Sequence, residues 1–220
     1  MGKLIVLEGT DGSGKATQTA ALLDRLRREG VDCRKIEFPR YQEESSALIR
    51  EYLRGDFGEK PSDVNAFAAS TFYAVDRYAS YQQDWGGYYR QGGLVIADRY
   101  TTSNAVHQGS KLQGKERTDF FEWLFDYEYR LLGLPKPDLV IYLDVPVDQT
   151  EQNMHRREIQ TGASADIHER DDGYLRACRV AAGEAAERFG WTKIACTKNG
   201  VMRSIDEIHE DVYRAVKEVL

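Results

Sequence analysis

The chain has 220 residues, 41% hydrophobic and 30% charged, which suits one α/β domain with a sizeable core. Its formal net charge of −6 argues against a general nucleic-acid binder, because neutralising a phosphate backbone needs a basic surface, whereas a small anionic ligand needs only a few local arginines. Cys33, Cys178 and Cys196 form no C-x-x-C pair, their odd number argues against a disulfide framework, and no apolar run approaches the ~20 residues of a membrane span, so a cytoplasmic protein with reduced thiols is expected.

Lys3–Glu8, "KLIVLE", opens the chain as a short apolar run and is predicted to be a strand. Gly9, Gly14 and Lys15 follow directly and fit G-x-x-x-x-G-K, with Asp11, Gly12 and Ser13 between them. Leu22, Leu23 and Leu26 then mark a helix that stops near Gly30. A glycine loop between a strand and a helix is the context a phosphate-binding loop requires. Glycine lets the backbone wrap closely around oxygens, and the exposed amides with the helix dipole favour an anion. Lys15 then places a positive charge on the terminal phosphates of a nucleotide. Ala16 is the misfit, because the residue after the lysine usually carries a magnesium-binding hydroxyl. Thr17 lies one helical step away, about 100° around the axis, and does not simply replace it. Magnesium is instead expected through water from carboxylates, with Asp11 in the loop and Asp98 further on as candidates and Thr17 as a third contact.

Further strands are predicted at Cys33–Phe38, Gly93–Asp98, Asp138–Asp144 and Thr192–Cys196. Phe38, Pro39 and Arg40 end the second of the five, where a guanidinium fork can meet a phosphate. Ser62 after Pro61 is read as the cap of a long helix running through Phe67, Thr71 and Val75. On that helix Tyr73 and Arg77 are one turn apart and can clasp a planar base. Asp98 ends the third strand at the carboxyl edge, where α/β folds bind ligands. Arg99, Ser103, Asn104, His107 and Gln108 follow, the last four at helical spacing. Phe120, Leu124 and Tyr127 mark another helix, and Ser204 with Glu207 forms a capping box for the last one. Strand and helix in alternation imply a parallel sheet with right-handed crossovers. One polar segment, His155–Tyr174, breaks the rhythm and reads as a lid over an active site.

"GTDGSGK", "FPRY", "FYAVDR" and "DRYTTSNAVHQ" occur in this order and together resemble the thymidylate kinases. The resemblance implies a three-layer P-loop NTPase-type fold, with a five-stranded parallel sheet flanked by helices. It implies one kinase domain over 1–220 with a mobile lid at about 155–174. The implied reaction is ATP with dTMP giving ADP and dTDP, with Mg²⁺, usually by a homodimer. Gly9 to Thr17, with Asp11, Gly12, Ser13, Gly14, Lys15 and Ala16 between, would hold ATP. Asp11 would contact the acceptor sugar or the metal side. Arg40 and Arg99 would hold the dTMP phosphate, Tyr73 would stack on the base, and Arg77 would hydrogen-bond it. Asn104 and Gln108 would line the base pocket, and His107 falls where many members carry a tyrosine near the sugar. No arginine stands in the loop itself, so the lid, with Arg156, Arg157 and Arg170, must supply the catalytic positive charge.

Two alternatives stay open at this point. One is a different nucleoside or nucleotide P-loop kinase. The paired arginines Arg40 and Arg99 favour an acceptor that already carries phosphate. The other is a non-catalytic nucleotide sensor, the kind of protein in which Ala16 is at home. A GTPase would show N-K-x-D, and the nearest stretch, "TKNG" at 197–200, does not match.

Overall fold

The computed structural model describes residues 1–161, 167–168 and 172–220, without the side chains of 155–161 and 172. In chain order the elements are β1 Lys3–Glu8, α1 Lys15–Arg28, β2 Cys33–Glu37, α2 Ala47–Arg54, α3 Ala66–Ser80, α4 Gly86–Arg90, β3 Leu94–Asp98, α5 Thr101–His107 and α6 Gly114–Phe125. Then come β4 Leu139–Asp144, α7 Val147–Thr161, α8 Asp172–Phe189, β5 Thr192–Ala195, β6 Thr197–Lys198, β7 Val201–Met202 and α9 Ile205–Lys217. Two π-helical turns, Tyr81–Trp85 and Asp126–Leu131, extend α3 and α6.

The expected sheet is present: five parallel strands in the order β2-β3-β1-β4-β5. Buried strands alternate their side chains between two covered faces. Leu4 and Val6 point into a core with Trp85, Phe120 and Tyr142. Ile5 and Leu7 point the other way, against Leu22 and Leu26 of α1 and Val212 of α9. Helices on both faces of one sheet make the three layers. The strand order reverses between β1 and β3, so a crevice opens at their carboxyl ends.

α3 departs from its sequence reading at its start. Pro61–Asp63 is a separate 3₁₀ turn, and Ser62 is exposed there. The cap is Asn65, whose side chain accepts from the Ala68 N–H at 2.9 Å. The stripe of Phe67 and Val75 also faces outward, at 41% and 52% exposure, while Ala66, Ala69, Ser70, Ala74 and Arg77 are buried. Small residues let α3 lie close to its neighbours, so the packed face of this helix is not its bulkiest one. The capping box of Ser204 and Glu207 is borne out, with Ser204 N–H donating to Glu207 Oε2 at 2.9 Å and Glu207 N–H to Ser204 Oγ at 3.2 Å. The three cysteines are buried free thiols.

The "TKNG" stretch has a structural role. Asn199 and Gly200 both take positive φ, 52° and 78°, and join β6 to β7. Two central residues with φ > 0 make a type I′ turn, whose twist matches a hairpin.

The cap correction has a direct test. Asn65→Ala is expected to cost about 1 kcal/mol of stability, because it orphans an α3 amide. Ser62→Ala should change stability by less than about 0.5 kcal/mol, as an exposed substitution away from any cap does. Denaturant midpoints of the two variants measured side by side check the assignment.

Candidate active site

The loop between β1 and α1 turns on glycine. Gly12 and Gly14 take φ of 76° and 87°, which side chains with a Cβ rarely adopt. At Gly9 a Cβ would sit 2.5 Å from Ser13 Oγ and 3.2 Å from the Leu143 carbonyl, so no larger residue fits without a shift. Lys15 is buried and donates to the carbonyls of Gly9 and Thr10, both at 2.8 Å. Its ammonium therefore lies over the loop, inside a cavity of about 1190 Å³. Burial and the neighbouring Arg99 charge lower its pKa to about 8. Ala16 and Thr17 are exposed at the start of α1 and line the same cavity.

Beneath the loop lies Glu8, fully buried at the end of β1. One carboxylate oxygen accepts from the Gly9 N–H at 2.9 Å. The other accepts from the hydroxyls of Thr102 and Ser103, each at 2.7 Å. Glu8 thus ties the phosphate loop to the first turn of α5.

Arg99 closes the crevice. Its φ is 68°, in the left-handed region, and its N–H donates to the Leu7 carbonyl at 3.2 Å, stitching β3 to β1. Its guanidinium pairs with Asp11, donates to His107 Nε2 at 3.0 Å and stands 3.9 Å from Glu8. Burial alone would push the Asp11 carboxyl up, but the Arg99 and Lys15 charges outweigh it and hold it well below the usual range. Because Arg99 is always a donor, His107 Nε2 must accept, so the imidazole is neutral. Burial and the Arg99 charge push its pKa well down, in agreement with that hydrogen bond.

The structure brings most of the sequence-predicted residues to one cavity. Asp11 to Thr17 form one end, with Asp98 and Arg99 at the middle. Phe38, Pro39, Tyr73, Arg77, Asn104, His107 and Gln108 line the other end. The Phe38–Pro39 peptide is cis. Arg40 does not line the cavity, although Pro39 and Tyr41 beside it do. Its guanidinium is tied back to Asp76 at 3.1 Å and to Ser45 Oγ at 2.9 Å. Arg77 is almost fully buried and paired with Glu128, at 2.6 Å and 2.5 Å. Gln108 is fully buried, with no partner among the described residues for either amide atom. The side chains of Arg156 and Arg157, and all of Arg170, lie outside the described residues, as do 162–166, 169 and 171 of the 155–174 segment.

Several cavity residues escaped the sequence reading. Gln149 and Asn153 of α7 line the loop end, and Asn153 Nδ2 donates to the Gly12 carbonyl at 2.9 Å. Gly200 to Arg203 and Ile205 form a wall beside Thr17 and Gln18, so the hairpin and the start of α9 belong to the site. The Asn-Gly pair was the available signal for that hairpin. Glu8 and Glu128 lie outside the four motifs, and Asp76, though inside "FYAVDR", has no role in the sequence reading. His168 also lines the cavity; it sits 2.9 Å from the Tyr52 hydroxyl, and Ile167 beside it packs on Tyr52 and Ala69.

The Asp98 carboxylate has no hydrogen-bond partner among the described residues, and the residue lines the cavity beside Lys15. No group of three or more metal-ligating side chains occurs among the described residues. One open carboxylate suits a cation that keeps most of its water shell, as magnesium does.

A glycine loop cradling a lysine at a helix N-terminus, at the switch point of a parallel sheet, defines a P-loop nucleotide-binding protein. The sequence model of the thymidylate kinase family matches residues 7–212. The thymidylate kinase of Mycobacterium tuberculosis is 33% identical over 190 residues, covering 86% of this chain and 87% of that protein. A probable thymidylate kinase of Pyrococcus abyssi is 30% identical and covers 100% and 98%. The solved thymidylate kinase of Candida albicans shares the fold, with a TM-score of 0.71 at 20% identity over 99% and 92% of the two chains. The chain belongs to the thymidylate kinase family.

The lowered pKa of Lys15 gives a signed expectation. Below pH about 8 its ammonium is present to meet phosphate; above it the free enzyme loses that charge. The kcat/KM for ATP should therefore fall as pH rises through about 8. Bound ATP favours the protonated form, so kcat should hold to higher pH. Initial rates across pH at limiting and saturating ATP check both; a flat kcat/KM would show that Lys15 stays charged.

Proposed function

We propose that this chain transfers the γ-phosphoryl group of ATP to dTMP, with residues 1–220 as one kinase domain and 155–174 as its lid. The observation that carries the reading is one cavity shared by the anion cradle of Lys15 and the planar-base pocket of Tyr73, Arg77 and Asn104. Gly9 to Thr17 bind the ATP phosphates, and the hairpin with Arg203 flanks the rest of that nucleotide. Arg99, between the two ends, holds the phosphate of dTMP. Arg40 orders the turn after β2 through Asp76, and it reaches phosphate only by leaving that carboxylate.

A phosphate oxygen of dTMP attacks the γ-phosphorus in line. A new P–O bond forms as the bond to the bridging oxygen of ADP breaks. The nucleophile is already an anion, so no general base is needed. Lys15 and the loop amides stabilise the spread charge, and a lid arginine, Arg156, Arg157 or Arg170, adds to them. Asp98 and Thr17 would hold magnesium through water, where the ion neutralises charge on the ATP phosphates. Asp11, paired with Arg99, chiefly aims that arginine. Ala16 is compatible with this arrangement, since no step depends on a hydroxyl at that position.

The outward stripe of α3 supports a homodimer. Phe67, Val75 and Tyr78 recur at helical spacing, each more than 40% exposed. A cytoplasmic location fits a protein that consumes ATP, and no helix of the described residues is long and apolar enough to cross a membrane.

Product chromatography over a panel of nucleoside monophosphates, with thymidine as control, tests the acceptor. dTDP is expected from dTMP, and no dTMP from thymidine. Lys15→Ala should lower turnover by about 10²-fold or more, while Ala16→Ser is tolerated. Normal turnover in Lys15→Ala would overturn the site. Separately, Val75→Asp is expected to convert a dimer to a monomer in light scattering; an unchanged mass would remove α3 from the interface.

A further inference from the structure

We propose that Glu128 is the positioning residue that fixes the hydrogen-bond polarity of the base pocket and so selects thymine and uracil over cytosine. The inference rests on the reading of Arg77 and Asn104 as that pocket. Glu128 lies on the π-helical turn Asp126–Leu131 and is fully buried. Single π turns inside helices recur at functional positions, because the extra residue re-aims one side chain.

Its carboxylate collects four donors. Oε1 accepts from Arg77 Nη2 at 2.5 Å and from Asn104 Nδ2 at 3.5 Å. Oε2 accepts from Arg77 Nε at 2.6 Å and from Thr101 Oγ1 at 2.7 Å. A carboxylate offers about four lone-pair sites, and here each one faces a donor.

Two consequences follow for the cavity. First, Arg77 is gripped along its Nε and Nη2 edge. Nη1 keeps only a 3.5 Å contact to the Tyr100 carbonyl, and it remains a donor toward the base. Second, the amide of Asn104 has no choice of orientation. Its nitrogen faces two acceptors, Glu128 and the Ser70 carbonyl at 3.2 Å. Its oxygen is therefore turned to the cavity, where it has no partner among the described residues. The pocket presents one donor and one acceptor side by side.

Thymine and uracil match that pair with the carbonyl at position 4 and the adjacent ring N–H. Cytosine presents the reverse, an amino group and a bare ring nitrogen. It would set donor against donor and acceptor against acceptor in a buried site, where such mismatches are poorly tolerated. The selecting charge is thus one shell behind the residues that touch the base.

Glu128→Gln keeps the shape and removes the charge. A glutamine can accept on one atom only; its own NH₂ must turn toward Arg77 and Asn104, or toward Arg77 and Thr101. Facing Asn104, it releases that amide to rotate and offer its nitrogen to the base. The kcat/KM ratio of dTMP over dCMP should fall by about tenfold or more, with KM for ATP within about twofold of the parent enzyme. A merely structural loss would lower both nucleotides together and leave the ratio unmoved, and that result overturns the proposal. Should Glu128→Gln not fold, Thr101→Val removes one of the four donors while keeping the ion pair. It should lower the same ratio by about two- to fivefold, and an unchanged ratio again overturns the proposal. Arg77→Gln separates the underlying reading: if it leaves KM for dTMP unchanged, the base lies elsewhere. If it raises KM while Glu128→Gln keeps the ratio, the pocket stands and only the role of Glu128 fails.

Discussion

The site is organised by the Arg99 guanidinium and the carboxylates that receive it. Two strands, β1 and β3, end side by side, and the chain must leave each in a different direction. Arg99 adopts a left-handed backbone to do so, donates its amide to Leu7, and sends its side chain back to Asp11 in the loop. Glu8 completes the clamp from below by accepting from Gly9, Thr102 and Ser103. A left-handed non-glycine residue costs of order 1–3 kcal/mol and persists only where its surroundings over-determine it. Here three carboxylate and carbonyl partners do so. The two ends of the cavity are set relative to each other by this one residue.

The same logic recurs at three arginines, Arg77 and Arg99 in the cavity wall and Arg40 beside it. Arg40 has Asp76, Arg77 has Glu128, and Arg99 has Asp11. An unpaired buried charge costs several kcal/mol, so each guanidinium is neutralised before any substrate arrives. The pairs also hold each fork in one rotamer, which lowers the entropy lost on binding. Lys15 is the exception. It has backbone carbonyls rather than a bonded carboxylate, and burial draws its pKa down to about 8. An anionic nucleotide restores what burial removes from it. The cradle is thereby tuned to phosphate, and the arginines are tuned to geometry.

Much of this was legible in the chain. The strands announced themselves as apolar runs because the sheet is covered on both faces, and the loop announced itself because only glycines allow its turns. Spacing placed Tyr73 and Arg77 on one face of α3, and it put Ser103, Asn104, His107 and Gln108 on one cavity wall. What the sequence hid was long-range. Glu128 is 51 residues from Arg77, and Asp76 is 36 from Arg40. Nothing local marks a carboxylate that acts through another residue. The start of α3 was misread because Pro61 and Ser62 imitate a helix entry. Its packed face carries little bulk, because Ala66, Ala69 and Ala74 make the close contact there.

Within the segment read as a lid, Tyr174 donates to the His107 carbonyl at 2.9 Å, and Ile167 and His168 make a second contact with the rest of the molecule. Ile167 packs against Tyr52 and Ala69, and its N–H meets the Leu53 carbonyl at 3.4 Å. His168 stacks on His107 and sits 2.9 Å from the Tyr52 hydroxyl. Lys111 donates to that same hydroxyl at 3.0 Å, and the hydroxyl donates to the Pro61 carbonyl at 3.4 Å. Burial drives the His168 pKa down to about 3 and that of Lys111 down to about 7. A protonated His168 would face Arg99 and Lys111, so the seat accepts the neutral imidazole alone. Near neutral pH this imposes no cost, since His168 carries no charge to shed. The contact at this point is therefore apolar packing and one neutral hydrogen bond.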